Sequence, residues 1–352
     1  GRGYVGDRVA LVAQTVPGDI VKIKVDKQTK NTVQGRVKKL VRPSPKRVSA
    51  NCPHEFVCTG CMLMGTSVED ELSFKVERVA GFLEKSSTAG DIDEELQVNR
   101  PSEALGYRYY AKQVFSVQHG RPILGAYIAS THDVADNAGC PVLAPAVRTA
   151  VDTVADEVSI RKLRIDWKGE PGLRYLTVRG SKATGEILFS LVSSRALEGE
   201  WLEDLEDLAD ALIDRVDGAC GVVAIENMDK GNVLLRGESR LLAGKATVTE
   251  EICGFKHEIG AQSFFQINPV SAGSMFETAL HYAGQGDVCL ELFCGVKLLG
   301  EGANASVFEL MERRKEALGI LDYSCSQPSL ESIFLQIAER DINRKGGAVV
   351  PA

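Results

Sequence analysis

Three of the nine cysteines crowd into one short segment, Cys52-Pro-His-Glu-Phe-Val-Cys58-Thr-Gly-Cys61. Thiolates are the natural ligands of iron–sulfur clusters and of zinc, and cysteines six and then three apart can wrap one small inorganic centre. Both kinds of centre want four ligands. Cys140, in Gly139-Cys140-Pro141-Val142-Leu143, is the candidate for the fourth, and a proline follows both Cys52 and Cys140 to fix the turns that aim the sulfurs. His54 is a ligand by type and is read as a bystander. Zinc, or simply reduced thiols with no metal, are the competing readings of the same spacing. Nine cysteines in 352 residues are too sparse for a disulfide scaffold.

The elements that must position these thiols follow from the patterning. Residues 8–40 alternate apolar and polar, with turns at Pro17-Gly18-Asp19 and Lys30-Asn31-Thr32, which predicts a small antiparallel β-barrel. Residues 1–47 hold twelve Lys/Arg against three Asp, on a chain whose net charge is −7. A basic module on an acidic body suits a polyanion partner; a solvated lysine-rich surface is the bland alternative. Arg42-Pro-Ser-Pro-Lys-Arg47 reads as a Pro-broken linker. Ser67-x-x-Asp70 predicts a capped helix to about residue 85, with Val68, Leu72, Val76, Val79 and Leu83 along one side. Strands are expected over Tyr107–Gln118, Ile123–Ala129, 173–180, 187–193 and Gly221–Glu226, and helices over Pro145–Leu163, Leu202–Val216 and from Asn268-Pro269 to about Tyr282. The apolar run Val288–Phe293 and the Cys294-Gly295 turn then suggest the opening of a Rossmann-like domain. Hydrophobic residues are 44% and charged residues 25%, ordinary for a globular chain, and no apolar run reaches a membrane-spanning length of about 18 residues. The chain starts at Gly1 rather than Met, which leaves room for an upstream or targeting segment.

Several motifs, in order, resemble the cluster-bearing branch of the RumA/TrmA family of RNA uridine C5-methyltransferases. These are the Cys52–Cys61 segment with Cys140-Pro-Val-Leu143, the basic module resembling a TRAM domain, Gly106-Tyr107-Arg108 with Lys112, Ser263-Phe-Phe-Gln266-Ile-Asn-Pro269, and Glu291-Leu-Phe293-Cys-Gly295-Val296. The resemblance covers about residues 1–296. It implies a 4Fe-4S cluster on Cys52, Cys58, Cys61 and Cys140. It also implies S-adenosyl-L-methionine as cofactor, contacted by Gln266, Phe293 and Gly295. The implied chemistry is addition of a cysteine thiolate to uridine C6, methyl transfer to C5, and removal of the C5 proton by a base. An amide suits the amino-acid end of such a cofactor, and a glycine lets backbone come close to it; the plainer reading of Phe264, Phe265 and Phe293 is core.

The sequence departs from that pattern after Gly295. Lys297 replaces a second glycine, and no Asp-Pro-Pro-Arg or Ser-Cys-Asn-Pro segment follows, so no catalytic residue is assigned. Tyr323-Ser-Cys325-Ser-Gln-Pro328 is a loose likeness to the nucleophile segment, and Glu309 a weak candidate for a ribose ligand. The stretch Gly319–Phe334 resembles the end of an ABCA-type transporter ATP-binding cassette, without a Gly-x-x-x-x-Gly-Lys-Ser/Thr loop. The expected organisation is a multidomain α/β chain: an OB-like barrel over 1–48, a central α+β cluster and RNA domain over 49–220, a truncated Rossmann-like methyltransferase domain over 221–300, and an atypical tail over 301–352. The expected function is S-adenosylmethionine-dependent RNA (uracil-C5)-methylation of rRNA or tRNA by a cytoplasmic or organellar monomer, with an inactive form left open because the family's C-terminal catalytic segments are missing. A non-catalytic RNA-binding iron–sulfur fragment is the alternative.

Overall fold

The computed structural model describes residues 1–283 except Phe56, Thr59, 85–95, Gln97, 101–102, 129–130 and 230–232. The expectations on Phe293, Gly295, Lys297, Glu309, Cys325 and the tail therefore lie outside the described residues.

At the N-terminus, β1 (Arg2–Val5), β2 (Arg8–Val12), β3 (Ile20–Gln28) and β4 (Thr32–Arg42) form a four-stranded sheet in the order β1-β2-β4-β3. The alternation of residues 8–40 does produce strands. The arrangement differs from the expected antiparallel barrel, because β2 pairs with β4 in parallel and the described strands form an open sheet. The reason is topological: the β3–β4 hairpin folds back so that β4, not β3, lies beside β2. Three register shifts between β3 and β4 let the sheet bend around Ala10, Val12, Val16 and Val33, which are buried.

Helix α1 (Val68–Leu83) is capped as the sequence predicts, Ser67 Oγ accepting from the Asp70 N–H at 3.1 Å. Its apolar stripe is not a core face: no α1 residue is buried, and Phe82 is 64% exposed.

The centre of the molecule is a seven-stranded sheet in the order β11-β10-β9-β8-β5-β6-β7. Its strands are β5 (Tyr110–Gln118), β6 (Arg121–Tyr127), β7 (Val134–Asp136), β8 (Leu173–Gly180), β9 (Ile187–Ser193), β10 (Ala219–Glu226) and β11 (Glu238–Gly244). Only β9 and β10 run parallel, joined by helix α3 (Gly199–Arg215); the other pairs are antiparallel. Every residue of β9 is buried, which its apolar run Ile187–Val192, broken only by Ser190, anticipates.

Helix α2 (Pro145–Ile160) and α3 cover one face. Val147, Val151, Val154, Val158, Leu205, Leu208 and Leu212 pack there against Leu176, Val178 and Phe189. The buried Trp201 donates from Nε1 to Ser193 Oγ at 3.0 Å, so its polar atom has a partner. Glu157 of α2 is buried and pairs with both Arg161 and Arg215, tying α2 to the end of α3. The other face packs against the hairpin β12 (Thr247–Ile252) and β13 (Phe255–Gly260) and helix α4 (Pro269–Ala283). The expected boundary at 220/221 falls inside β10, which is hydrogen-bonded to β9 and β11 in this sheet. No helix among the described residues is long and apolar enough to cross a membrane.

Candidate functional site

The sequence motifs converge on one irregular segment, Gly106–Tyr109. It was expected as the start of a strand, and β5 begins only at Tyr110. Its backbone is used in two directions instead. Gly106 and Arg108 donate to the carbonyls of Pro141 and Val142 at 3.0 and 2.9 Å, and Ala144 donates back to the Arg108 carbonyl at 3.0 Å. Tyr109 donates to Ile267 at 2.8 Å and accepts from Gly180 at 2.8 Å. Gly106–Tyr109 is thus bonded to Cys140-Pro-Val-Leu143 on one side and, through Tyr109, to Ser263–Pro269 on the other.

Cys52, Cys58, Cys61 and Cys140 line one cavity, all of them half-buried. The loop that carries the first three is held from both sides. His54 Nε2 lies 2.9 Å from the Ala138 carbonyl, joining it to the turn before Cys140. Through this contact His54 clasps the two cysteine segments together. From the other side, Gln14, in the left-handed region at φ 57°, donates from Nε2 to the Cys58 carbonyl. Arg47 donates to Glu55 at 2.9 Å, to the Gln14 carbonyl at 3.1 Å and to Asp19 at 2.6 Å. The residue read as the end of a loose linker is an inter-segment clamp, 9% exposed.

Burial pushes the Cys61 thiol up to about 11, with the neighbouring Cys140, Cys58 and Cys52 pushing the same way and Arg108 opposing. Burial also raises Cys58, helped by Cys140 and Cys52 and opposed by the Gly60 N–H, which lies 3.4 Å from its sulfur. Cys58 and Cys61, held protonated by burial and by the sulfurs beside them, belong to a four-thiol donor set that a cation would relieve. Among the described residues, no group of three or more His, Cys, Asp or Glu stands at metal-holding geometry. The fit to a cluster therefore rests on the donor chemistry and the shared cavity. Asn137 also lines it, with a buried Oδ1 that has no partner.

Gln266 is half-buried in a segment fixed at both ends. Arg179, 5% exposed in β8, donates from Nη2 to the Ser263 carbonyl at 2.8 Å and stacks on the Tyr110 ring at 4.3 Å. Its buried Nε has no partner, and burial lowers its pKa. Phe265 is core, 6.1 Å from the His257 ring, whereas Phe264 is 58% exposed. At the far end Asn268 Oδ1 accepts from Ser271 at 3.1 Å, the expected cap of α4. Asn137, Arg179 and His257 escaped the sequence reading, since nothing in their local patterns marks them. The two remaining described cysteines suit no nucleophile. Burial raises Cys220 to about 11 and also raises Cys253, and their thiols lie against the carbonyls of Thr247 and Gly273.

Comparison with known proteins gives a consistent likeness. No protein-family model matches the chain. It is 28% identical over 316 residues to an uncharacterized RNA methyltransferase of Thermosynechococcus vestitus, covering 88% of this chain and 69% of that one. It is 28% identical over 353 residues to an uncharacterized RNA methyltransferase of Clostridium tetani, covering 97% and 72%. A third, from Halalkalibacterium halodurans, is 28% identical over 293 residues, and the chain spans 62% of its length. Among solved structures, the tRNA (uracil-54, C5)-methyltransferase of Pyrococcus abyssi in complex with S-adenosyl-L-homocysteine matches with a TM-score of 0.59. Its identity is 21%, over 79% of this chain and 62% of that one. This likeness shows a shared fold.

Proposed function

We propose that this chain belongs to an S-adenosylmethionine-dependent RNA (uracil-C5)-methyltransferase that acts on rRNA or tRNA, working as a monomer in the cytoplasm. The observation that carries the reading is the extent of the likeness to proteins named RNA methyltransferases. At 97% of the chain it takes in the basic sheet, the thiol cavity and the Ser263–Pro269 segment together, and it runs on past Gly295. That extent speaks for the enzyme over a non-catalytic RNA-binding fragment.

In this reading residues 1–48 supply sequence-tolerant phosphate contacts, and Tyr107, Arg108 and Lys112 meet the RNA beside them. Cys52, Cys58, Cys61 and Cys140 would hold a 4Fe-4S cluster. When bound, that group supplies a cross-link between two distant loops and an electron-accepting centre. Gln266 would receive the amino-acid end of S-adenosylmethionine, with Phe293 and Gly295 beside it. Arg179 and Tyr109 hold the Gln266 segment still by its backbone, so its amide is presented without an ordering cost at the moment of binding. The nucleophile of the covalent uracil adduct is to be sought among cysteines outside the described residues, Cys325 included, because the Cys220 and Cys253 thiols lie against the backbone carbonyls of Thr247 and Gly273 and burial raises both.

The test is transfer of a labelled methyl group from S-adenosylmethionine to rRNA and tRNA transcripts by the anaerobically purified chain, with iron and sulfide assayed on the same sample. Label recovered as 5-methyluridine, with about four irons per chain, is the expected result. A stable adduct with 5-fluorouridine RNA would reveal the covalent step, and its loss in Cys325→Ala would name the nucleophile. Cofactor binding without transfer to any RNA would overturn the enzyme reading; iron-free, active protein would overturn the cluster.

A further inference from the structure

Asn137 sits at the turn between β7 and Cys140, and its backbone is fixed on both sides. Its N–H donates to the Leu124 carbonyl at 3.0 Å, and its carbonyl accepts from Cys140 at 3.1 Å. The side chain lines the thiol cavity. One end of its amide faces Gln113, 5% exposed in β5, at a long 3.4 Å; the other end is a buried oxygen with no partner. A buried acceptor left alone costs about 1–3 kcal/mol. A half-turn of the amide plane keeps the shape and exchanges oxygen for NH2. The oxygen then meets Gln113, whose own amide can turn to donate, and an N–H points where the orphan oxygen lay. The four cysteines that line the same cavity offer sulfur as the acceptor for that N–H.

We propose that Asn137 is a positioning residue for the four-thiol site, its amide N–H donating to a sulfur held there. The proposal rests on the cluster reading above. A hydrogen bond to a ligand sulfur draws off negative charge, so it favours the more reduced cluster and slows loss of the thiolate to solvent. Asn137 touches no substrate in this role and acts only through the sulfurs.

The test uses the full chain, purified anaerobically, as wild type, Asn137→Asp and Asn137→Leu. Both variants keep the size of the side chain and remove its N–H. Iron and sulfide are counted first, then the midpoint potential by redox titration and the rate of iron release to a ferrous chelator. The expected result is equal iron in all three proteins, a lower midpoint potential in both variants, and release about tenfold faster, the worth of one such hydrogen bond. Asn137→Gln, which can still reach with an N–H, recovers part of the wild-type potential. Unchanged potential and release in both variants overturn the role of Asn137 and leave the cluster standing. Wild-type protein without iron and sulfide overturns the cluster, and this inference with it.

Discussion

Tyr109 donates its backbone N–H to the Ile267 carbonyl at 2.8 Å, and so pins the segment that carries Gln266 to the start of β5 in the middle of the central sheet. The neighbouring pin is Arg179, which reaches the Ser263 carbonyl from β8. Its removal leaves that carbonyl unpaired. Arg179→Met is expected to speed hydrogen exchange over residues 263–268 by a factor of ten or so, at a stability cost of about 1–3 kcal/mol. Exchange unchanged in that segment would show that Tyr109 suffices.

Gln266→Ala tests the cofactor reading separately. One lost hydrogen bond to a charged amino-acid group corresponds to about 1.5–3 kcal/mol. Calorimetric affinity for S-adenosylmethionine should therefore fall at least tenfold, with stability and iron content unmoved. Equal affinity would move the cofactor away from this segment.

Arg47 and Asp19 tie the basic sheet to the cysteine loop. Burial alone would raise the Asp19 pKa. The Arg47 hydrogen bond, the Val16 and Ser44 N–H groups and the Arg47 charge outweigh it and hold the carboxyl below the usual range. A depressed folded value means that the stabilisation is complete above the unfolded pKa of about 3.9 and is lost as pH falls through the lower folded value. Hydrogen exchange over residues 1–48 should rise in that acid window, and Asp19→Asn should abolish the step. Arg47→Met, which strands a buried carboxylate, is expected to cost about 3–5 kcal/mol at neutral pH.

A second pH window belongs to His257, buried behind Phe265 with an unpartnered Nε2. Burial lowers its pKa, with Glu250 pulling the other way. The neutral ring is the folded form, so its contribution is present above about pH 6.5 and lost as pH falls below it. Denaturation midpoints at pH 7.5 and 5.5 should differ more in wild type than in His257→Phe. Equal differences would assign the acid sensitivity elsewhere.

Ser67→Ala removes the α1 cap and should cost about 1 kcal/mol. Because α1 buries none of its residues, the loss should appear as fraying of that helix by hydrogen exchange, with little change in the central sheet.

The sequence was most legible where an element carries its own apolar run and its own bounding turn residues. The bounds of β8 and β9 and the start of α2 at Pro145 match the patterns, since apolar period and turn residues lie within each element. The α1 stripe shows the limit: periodicity reveals a helix without revealing whether anything covers it. Residues 107–109 read as strand, yet their N–H groups go to two different segments, a choice no local window contains. The cysteine spacing announced a shared site, and Cys140 joined it. Asn137, Arg47, Arg179 and His257 were silent, because each acts through a partner remote in the chain.

The cavity that joins these cysteines also sets a clock. Cys61 leaves the ribosome 79 residues before Cys140. At about 5–20 residues per second, three thiols wait roughly 4–16 s for the fourth. Over that interval Gln14 and Arg47, both already synthesised, are in place to hold the early loop. The basic sheet would thus serve the nascent chain as a jig, keeping Cys52, Cys58 and Cys61 apart from stray oxidation until β7 delivers the closing turn.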